Sequence, residues 1–146
     1  MRRHYWLLVC AVIGLGSVLA GWAKITYTCS GPELFPNYYA SPFIYSRDFL
    51  GSSLTWEYSI LGLMACTLVH GAVFGLLYLL MRRISVPGVI VWARRVLVGC
   101  LFSLSLFFIY VSYSTTPQIF GPDHNYWYWD MRQEAATWGV QCEPSW

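Results

Sequence analysis

Residues Tyr58–Met81 read YSILGLMACTLVHGAVFGLLYLLM. No Asp, Glu, Lys or Arg falls inside, and His70 is the one interruption able to ionise near neutrality. A helix needs about 20 apolar residues to cross a ~30 Å hydrocarbon core, and this run is long enough. Two further runs flank it: Tyr5–Ala23 (YWLLVCAVIGLGSVLAGWA) and Val96–Tyr113 (VLVGCLFSLSLFFIYVSY). Beyond the Pro87-Gly88 break, Val89–Trp92 either extend the third helix or lie at the interface. The expected fold is an all-α integral membrane protein, a single membrane domain over residues 1–146. Its helices span about 5–23, 58–81 and 89–113.

Composition agrees. Of 146 residues, 57% are hydrophobic and only 11% charged, whereas soluble domains carry about 25% charged residues. Disordered chains need low hydrophobicity and high charge, so that class is excluded. A net charge of +2 gives no footing for nucleic acid. The expected partners are the lipid bilayer and a larger membrane-protein complex.

The charges also divide. With three crossings, Arg2, Arg3, Arg82, Arg83, Arg94 and Arg95 fall on one side. All seven acids, Glu33, Asp48, Glu57, Asp123, Asp130, Glu134 and Glu143, fall on the other. Basic flanks stay cytoplasmic, which places the N-terminus inside and the C-terminus outside, in a bacterial cytoplasmic (inner) membrane. Residues Met1–Ala20 also have the layout of a secretory signal peptide, with Val18-Leu19-Ala20 as a cleavage site. The apolar run continues through Gly21, Trp22 and Ala23, which favours an uncleaved helix.

Loop 24–57 and tail 114–146 then form a small aromatic-rich cap on the periplasmic or extracellular side. The loop carries FPNYYASPFIYS and the tail NYWYWDM. Prolines 32, 36 and 42 make the front of the loop irregular, and Asp48–Glu57 lead into the second helix. A short helix is expected from about Asn125 to Trp138, with Gly139 as its stop. Cys10, Cys66 and Cys100 lie inside the runs, whereas Cys29 and Cys142 are the two outside. An oxidising compartment favours their pairing, which ties loop to tail.

Small residues recur at four-residue spacing. Thr67, Gly71 and Gly75 form one row, with Gly16 and Ala20, Ser17 and Gly21, and Gly99 and Ser103 as further pairs. Such rows let helix backbones approach closely. An ionisable residue inside a span is a functional candidate. His70 is open to three roles: a ligand to haem iron or a chlorophyll-type pigment, a member of a proton path, or a neutral histidine bonded to a neighbouring hydroxyl. The row Gly62, Cys66, His70 leaves space for a flat ring. His4 and His124 sit at or beyond the membrane faces, so bis-histidine haem within one chain is not expected.

No span carries Asp, Glu, Lys or Arg at depth, as a proton-coupled transporter or channel would require. No phosphate loop, metalloprotease helix or nucleophile elbow occurs, and no enzymatic activity is expected. The leading functional expectation is a non-catalytic accessory or structural subunit of a larger integral complex. Energy-transducing assemblies, which accumulate small spanning subunits, are the host class in view. The alternatives are a pigment- or haem-binding protein using His70, and an outer-face ligand-binding or receptor module.

The charge division makes a direct prediction. On intact cells, an impermeant reagent should reach the stretch around Glu143. Labelling that requires an opened cytoplasm would reverse the orientation.

Overall fold

The computed structural model describes residues 2–30, 37–48, 56–83, 88–115, 118–119, 131, 135–136 and 139–145. Three helices form where the apolar runs lie: α1 (Arg2–Leu19), α2 (Ile60–Arg83) and α3 (Gly88–Thr115). At ~1.5 Å per residue, the 24 residues of α2 cover about 36 Å, more than a ~30 Å apolar core. α2 and α3 are long and apolar enough to cross a membrane, each with a mean hydropathy of 2.1. The helix α3 begins at Gly88, so Val89–Trp92 belong to it.

The first helix is shorter than expected. Its apolar part, Tyr5–Leu19, ends before Trp22 and Ala23. Gly21 is the reason. Its φ of 69° lies in the left-handed region that favours glycine, and its N–H closes onto the Val18 carbonyl at 3.0 Å. At the start of α2, the Ser59 hydroxyl accepts the Gly62 N–H at 3.1 Å, an N-cap bond to the third helical residue.

The all-α expectation is overturned by a sheet. Loop 24–57 supplies β1 (Ile25–Ser30), β2 (Tyr38–Ala40), β3 (Ile44–Asp48) and β4 (Trp56–Tyr58), and tail 114–146 supplies β5 (Gln118–Ile119) and β6 (Gln141–Ser145). The strand order is β5-β4-β3-β2-β1-β6. Five strands are antiparallel, and β5 adds a two-residue parallel edge beside β4. Ile25–Ser30 alternates apolar and hydroxyl side chains, the period of a half-buried strand. Tyrosine and tryptophan fill β2, β3 and β4, and aromatic side chains suit a pleated surface. Trp56–Tyr58 is a strand and not a lead-in to α2.

The sheet is covered on both faces. One face packs Tyr27, Ala40, Ile44, Val140 and Cys142 against Met131 and Ala135. The other sets Tyr39, Tyr45 and Tyr58 against Val18 of α1 and Cys66 of α2. Met131, Ala135 and Ala136 are helical. The rest of the expected 125–138 helix lies outside the described residues. Its stop is visible. Gly139 (φ 69°) donates to Ala136 and Val140 to Ala135, the paired bonds of a Schellman ending.

Cys29 and Cys142 face each other across β1 and β6 and are joined by a disulfide. The bridge pins the tail to the strand that follows α1. Cys29→Ser should destabilise the fold by about 2–4 kcal/mol, the usual cost of opening a long disulfide loop. It should also make Cys142 alkylatable without reductant, with exposed Cys100 as the internal control. The checks are thermal unfolding in detergent and mass analysis of the alkylated thiols.

Candidate functional site

The β2–β3 turn, Ser41-Pro42-Phe43, runs down one side of α2. Its peptide bond Ser41-Pro42 is cis, and the Ser41 N–H closes onto the Phe43 carbonyl at 2.9 Å. The turn meets α2 at residues four apart, which share one helical face. At Gly62 the Ile44 carbonyl lies where a β-carbon would be. Cys66 donates its thiol hydrogen to the Phe43 carbonyl at 3.1 Å. The Nε2 atom of His70 lies 3.0 Å from the Ser41 hydroxyl. The row Gly62, Cys66, His70, read from the sequence as space for a flat ring, is therefore occupied by the protein's own hairpin.

The other ring nitrogen of His70, Nδ1, lies 2.7 Å from the Ser17 hydroxyl on α1. Ser17 donates its only hydroxyl hydrogen to the Gly14 carbonyl at 2.8 Å. Each ring nitrogen of His70 thus meets one hydroxyl, Nδ1 that of Ser17 and Nε2 that of Ser41. The bonds form one chain from Ser41 through His70 and Ser17 to the Gly14 carbonyl. Both nitrogens are engaged, so a metal could bind only if the hairpin or α1 let go. Among the described residues, no three His, Cys, Asp or Glu side chains converge on a metal position.

The small residues divide between two interfaces. Gly71 meets the Cys10 carbonyl, with room for no β-carbon beyond 2.9 Å. A β-carbon at Gly14 would lie 2.5 Å from the Thr67 carbonyl and 2.8 Å from the Gly71 nitrogen. Gly75 lies against the Cys10 sulfur at 3.6 Å. The row Thr67, Gly71, Gly75 thus packs on α1. On the other side of α1, Gly16 abuts Ser105 of α3. Ala20 donates its N–H to Gly16 in the last turn. Gly99 has nothing within 4 Å, and Ser103 is exposed. Sequence reasoning missed Gly14, Ser41 and Ser105. The hydroxyls at depth were the available signal, since a buried hydroxyl in an apolar setting must find a partner.

Above this seam, charges settle into the sheet. Arg47 and Glu57, directly opposed on β3 and β4, form an ion pair, and Glu57 is buried. Asp48 accepts from Tyr39 at 2.9 Å and Asn37 at 3.0 Å. Burial first, and then Asp48, push the Tyr39 phenol up, so it stays a donor. Burial does the same to Tyr45. The Lys24 ammonium sits 3.7 Å from the Tyr39 ring centre and 5.1 Å from that of Trp56.

Two openings share Gly21 and Lys24 in their walls. A cavity of about 370 Å³ lies under the sheet, beside Tyr45, Ser46, Trp56 and Ser112. A groove of about 780 Å³ runs along α1 and α2 past Ile13, Val69, Val73 and Leu77, with Ser17, His70 and Ser41 among its walls.

The hydrogen bonds around His70 carry a prediction. Ser17→Ala and His70→Phe should each cost about 1–3 kcal/mol by stranding buried partners. The double variant should cost less than their sum, because each removes the same bond. Thermal unfolding of all three in one detergent checks this, and strict additivity would refute the bond.

Comparison with protein-family models, with curated proteins and with solved structures finds no match for this chain.

Proposed function

We propose that this chain is a non-catalytic subunit of a larger integral membrane complex, embedded through its helices and docked through α3. Its packing is inverted relative to a soluble protein. The buried residues of α2 are Gly62, Cys66 and Gly71, while Leu68 is 70% exposed and Leu76 is 59%. Small residues inside and large apolar residues outside suit helices that meet each other through backbone contact and meet lipid with their side chains.

Sidedness has matching support. Arg82 and Arg83 end α2, and Arg94 and Arg95 lie near the start of α3. At this end Arg94 lies over the Tyr78 ring, which stacks on Trp6. Asp48, Glu57 and Glu143 all lie in the sheet. Basic residues inside, with a disulfide-bearing sheet outside, fit an inner-membrane protein whose cap faces an oxidising compartment.

The observation that carries the docking is the free face of α3. Only 6% of its apolar stretch is buried. At ~100° per residue, Ser103 and Gly99 lie roughly 200° and 240° round the helix from Ser105, the residue against α1. The notch they make points away from the chain's own helices. Against lipid alone a large side chain would serve there equally well, whereas a Gly–Ser notch admits another helix backbone.

Affinity purification in mild detergent tests the reading. Wild type should carry a membrane protein with it, and Gly99→Leu with Ser103→Leu should lose it without a change in melting temperature. Leu68→Phe, on the outward face of α2, should retain it. A wild-type chain that purifies alone as a monodisperse monomer would refute the proposal.

A further inference from the structure

The groove and the smaller cavity are neighbours that share Gly21 and Lys24 in their walls. The groove follows α2 from Val69 to Leu77, about 12 Å at helical rise. Its size falls in the range of ligand sites. Ile13, Val69, Val73, Phe74, Leu77 and Leu101 make its walls apolar. Its polar side chains at depth, Ser17, His70 and Ser41, are bonded to one another, so they ask nothing of an occupant. Such walls suit a hydrocarbon chain.

The upper end differs. Lys24 lines both groove and cavity. Among the described residues the salt bridge is Arg47 with Glu57, and Lys24 has no carboxylate in contact. Asp48, the nearby acid, is held by Tyr39 and Asn37 and not by the ammonium. The rings of Tyr39 and Trp56 hold the ammonium at the mouth, where Asp48 acts on it through space without an ion-pair contact. Ser46 lines the adjoining cavity, and its hydroxyl is of the kind that bonds phosphate oxygens.

We propose that this site binds one anionic phospholipid, with its phosphate at Lys24 and an acyl chain in the groove between α1 and α2. The charge of Lys24 selects the headgroup, and the apolar walls select the tail. The site rests on the bilayer-spanning part of the reading above and is independent of the docking of α3.

The test uses the full chain in phosphatidylcholine nanodiscs. These carry a photoactivatable phosphatidylglycerol or, at equal concentration, a photoactivatable phosphatidylcholine, each with its diazirine on an acyl chain. Cross-linked residues are mapped by mass spectrometry. The glycerol lipid should label Val69, Val73 and Leu77 about fivefold more than the choline lipid, the preference one interfacial lysine supplies. Lys24→Gln should reduce that ratio to one. Val73→Trp should remove groove labelling by both lipids and leave Leu68 and Leu76, outside the groove, labelled as before. Equal labelling by both lipids in wild type, or a ratio unmoved by Lys24→Gln, would overturn the site. Absence of label on Leu68 and Leu76 would overturn the bilayer reading, and the site with it.

Discussion

A backbone carbonyl packed against an apolar helix must be given a partner, because burial takes it away from water. The turn Ser41-Pro42-Phe43 puts non-helical backbone against α2, and the structure answers that constraint residue by residue. Cys66 takes the Phe43 carbonyl, and Ser59 takes its N–H to Tyr45 at 2.8 Å. Gly62 removes the side chain that would stand in the way. His70 then fixes the tip by bonding Ser41 through one ring nitrogen and Ser17 on α1 through the other. One hairpin is thereby attached to two helices. The position of the whole sheet follows, because β2 and β3 lie at its centre.

Much of the helical part was legible in the sequence, because a long charge-free run has few alternatives in an aqueous cell. The disulfide was legible by elimination once the runs had claimed three of five cysteines. Gly139 was legible as a stop because a left-handed residue after a helical turn is so often glycine. The sheet was hidden for a physical reason. Three-residue strands such as Tyr38–Ala40 and Trp56–Tyr58 are too short to display a period, and β1 pairs with β6 across most of the chain. Ile25–Ser30 did display alternation, but its position directly after an apolar helix made it read as a loop. The site at His70 was half legible. The residue stands out in its run, but its two partners come from α1 and from a turn whose depth no local pattern reveals.

The sheet itself is unusual in having a distinct neighbour on each face. Ile44 and Tyr45 are consecutive, so their side chains point to opposite sides. Ile44 joins Met131 and Ala135, whereas Tyr45 joins Val18 and Cys66. The strand therefore transmits the position of the helix ends to the C-terminal segment, and the Cys29–Cys142 bridge holds that segment at the sheet's far edge. Burial on both sides also accounts for Glu57, whose charge is tolerated there because Arg47 is its direct cross-strand partner.

The arrangement of helices reduces to angles on α1. Gly14 and Gly16 are roughly 200° apart around the helix, so the two close approaches they permit lie on opposite sides. Cys10 and Ser17 fall within about 60° of Gly14, on the side of α2, where they meet Gly71 and His70. The remaining side of α1 receives α3 at Ser105. A helix with small residues on two opposed faces cannot sit at the corner of a closed triangle; it separates its neighbours. The helix α1 therefore packs against both α2 and α3. Among the described residues, little of the apolar stretch of α3 is buried. A cleft runs along α1 and α2, and the hairpin fills it only as far as His70.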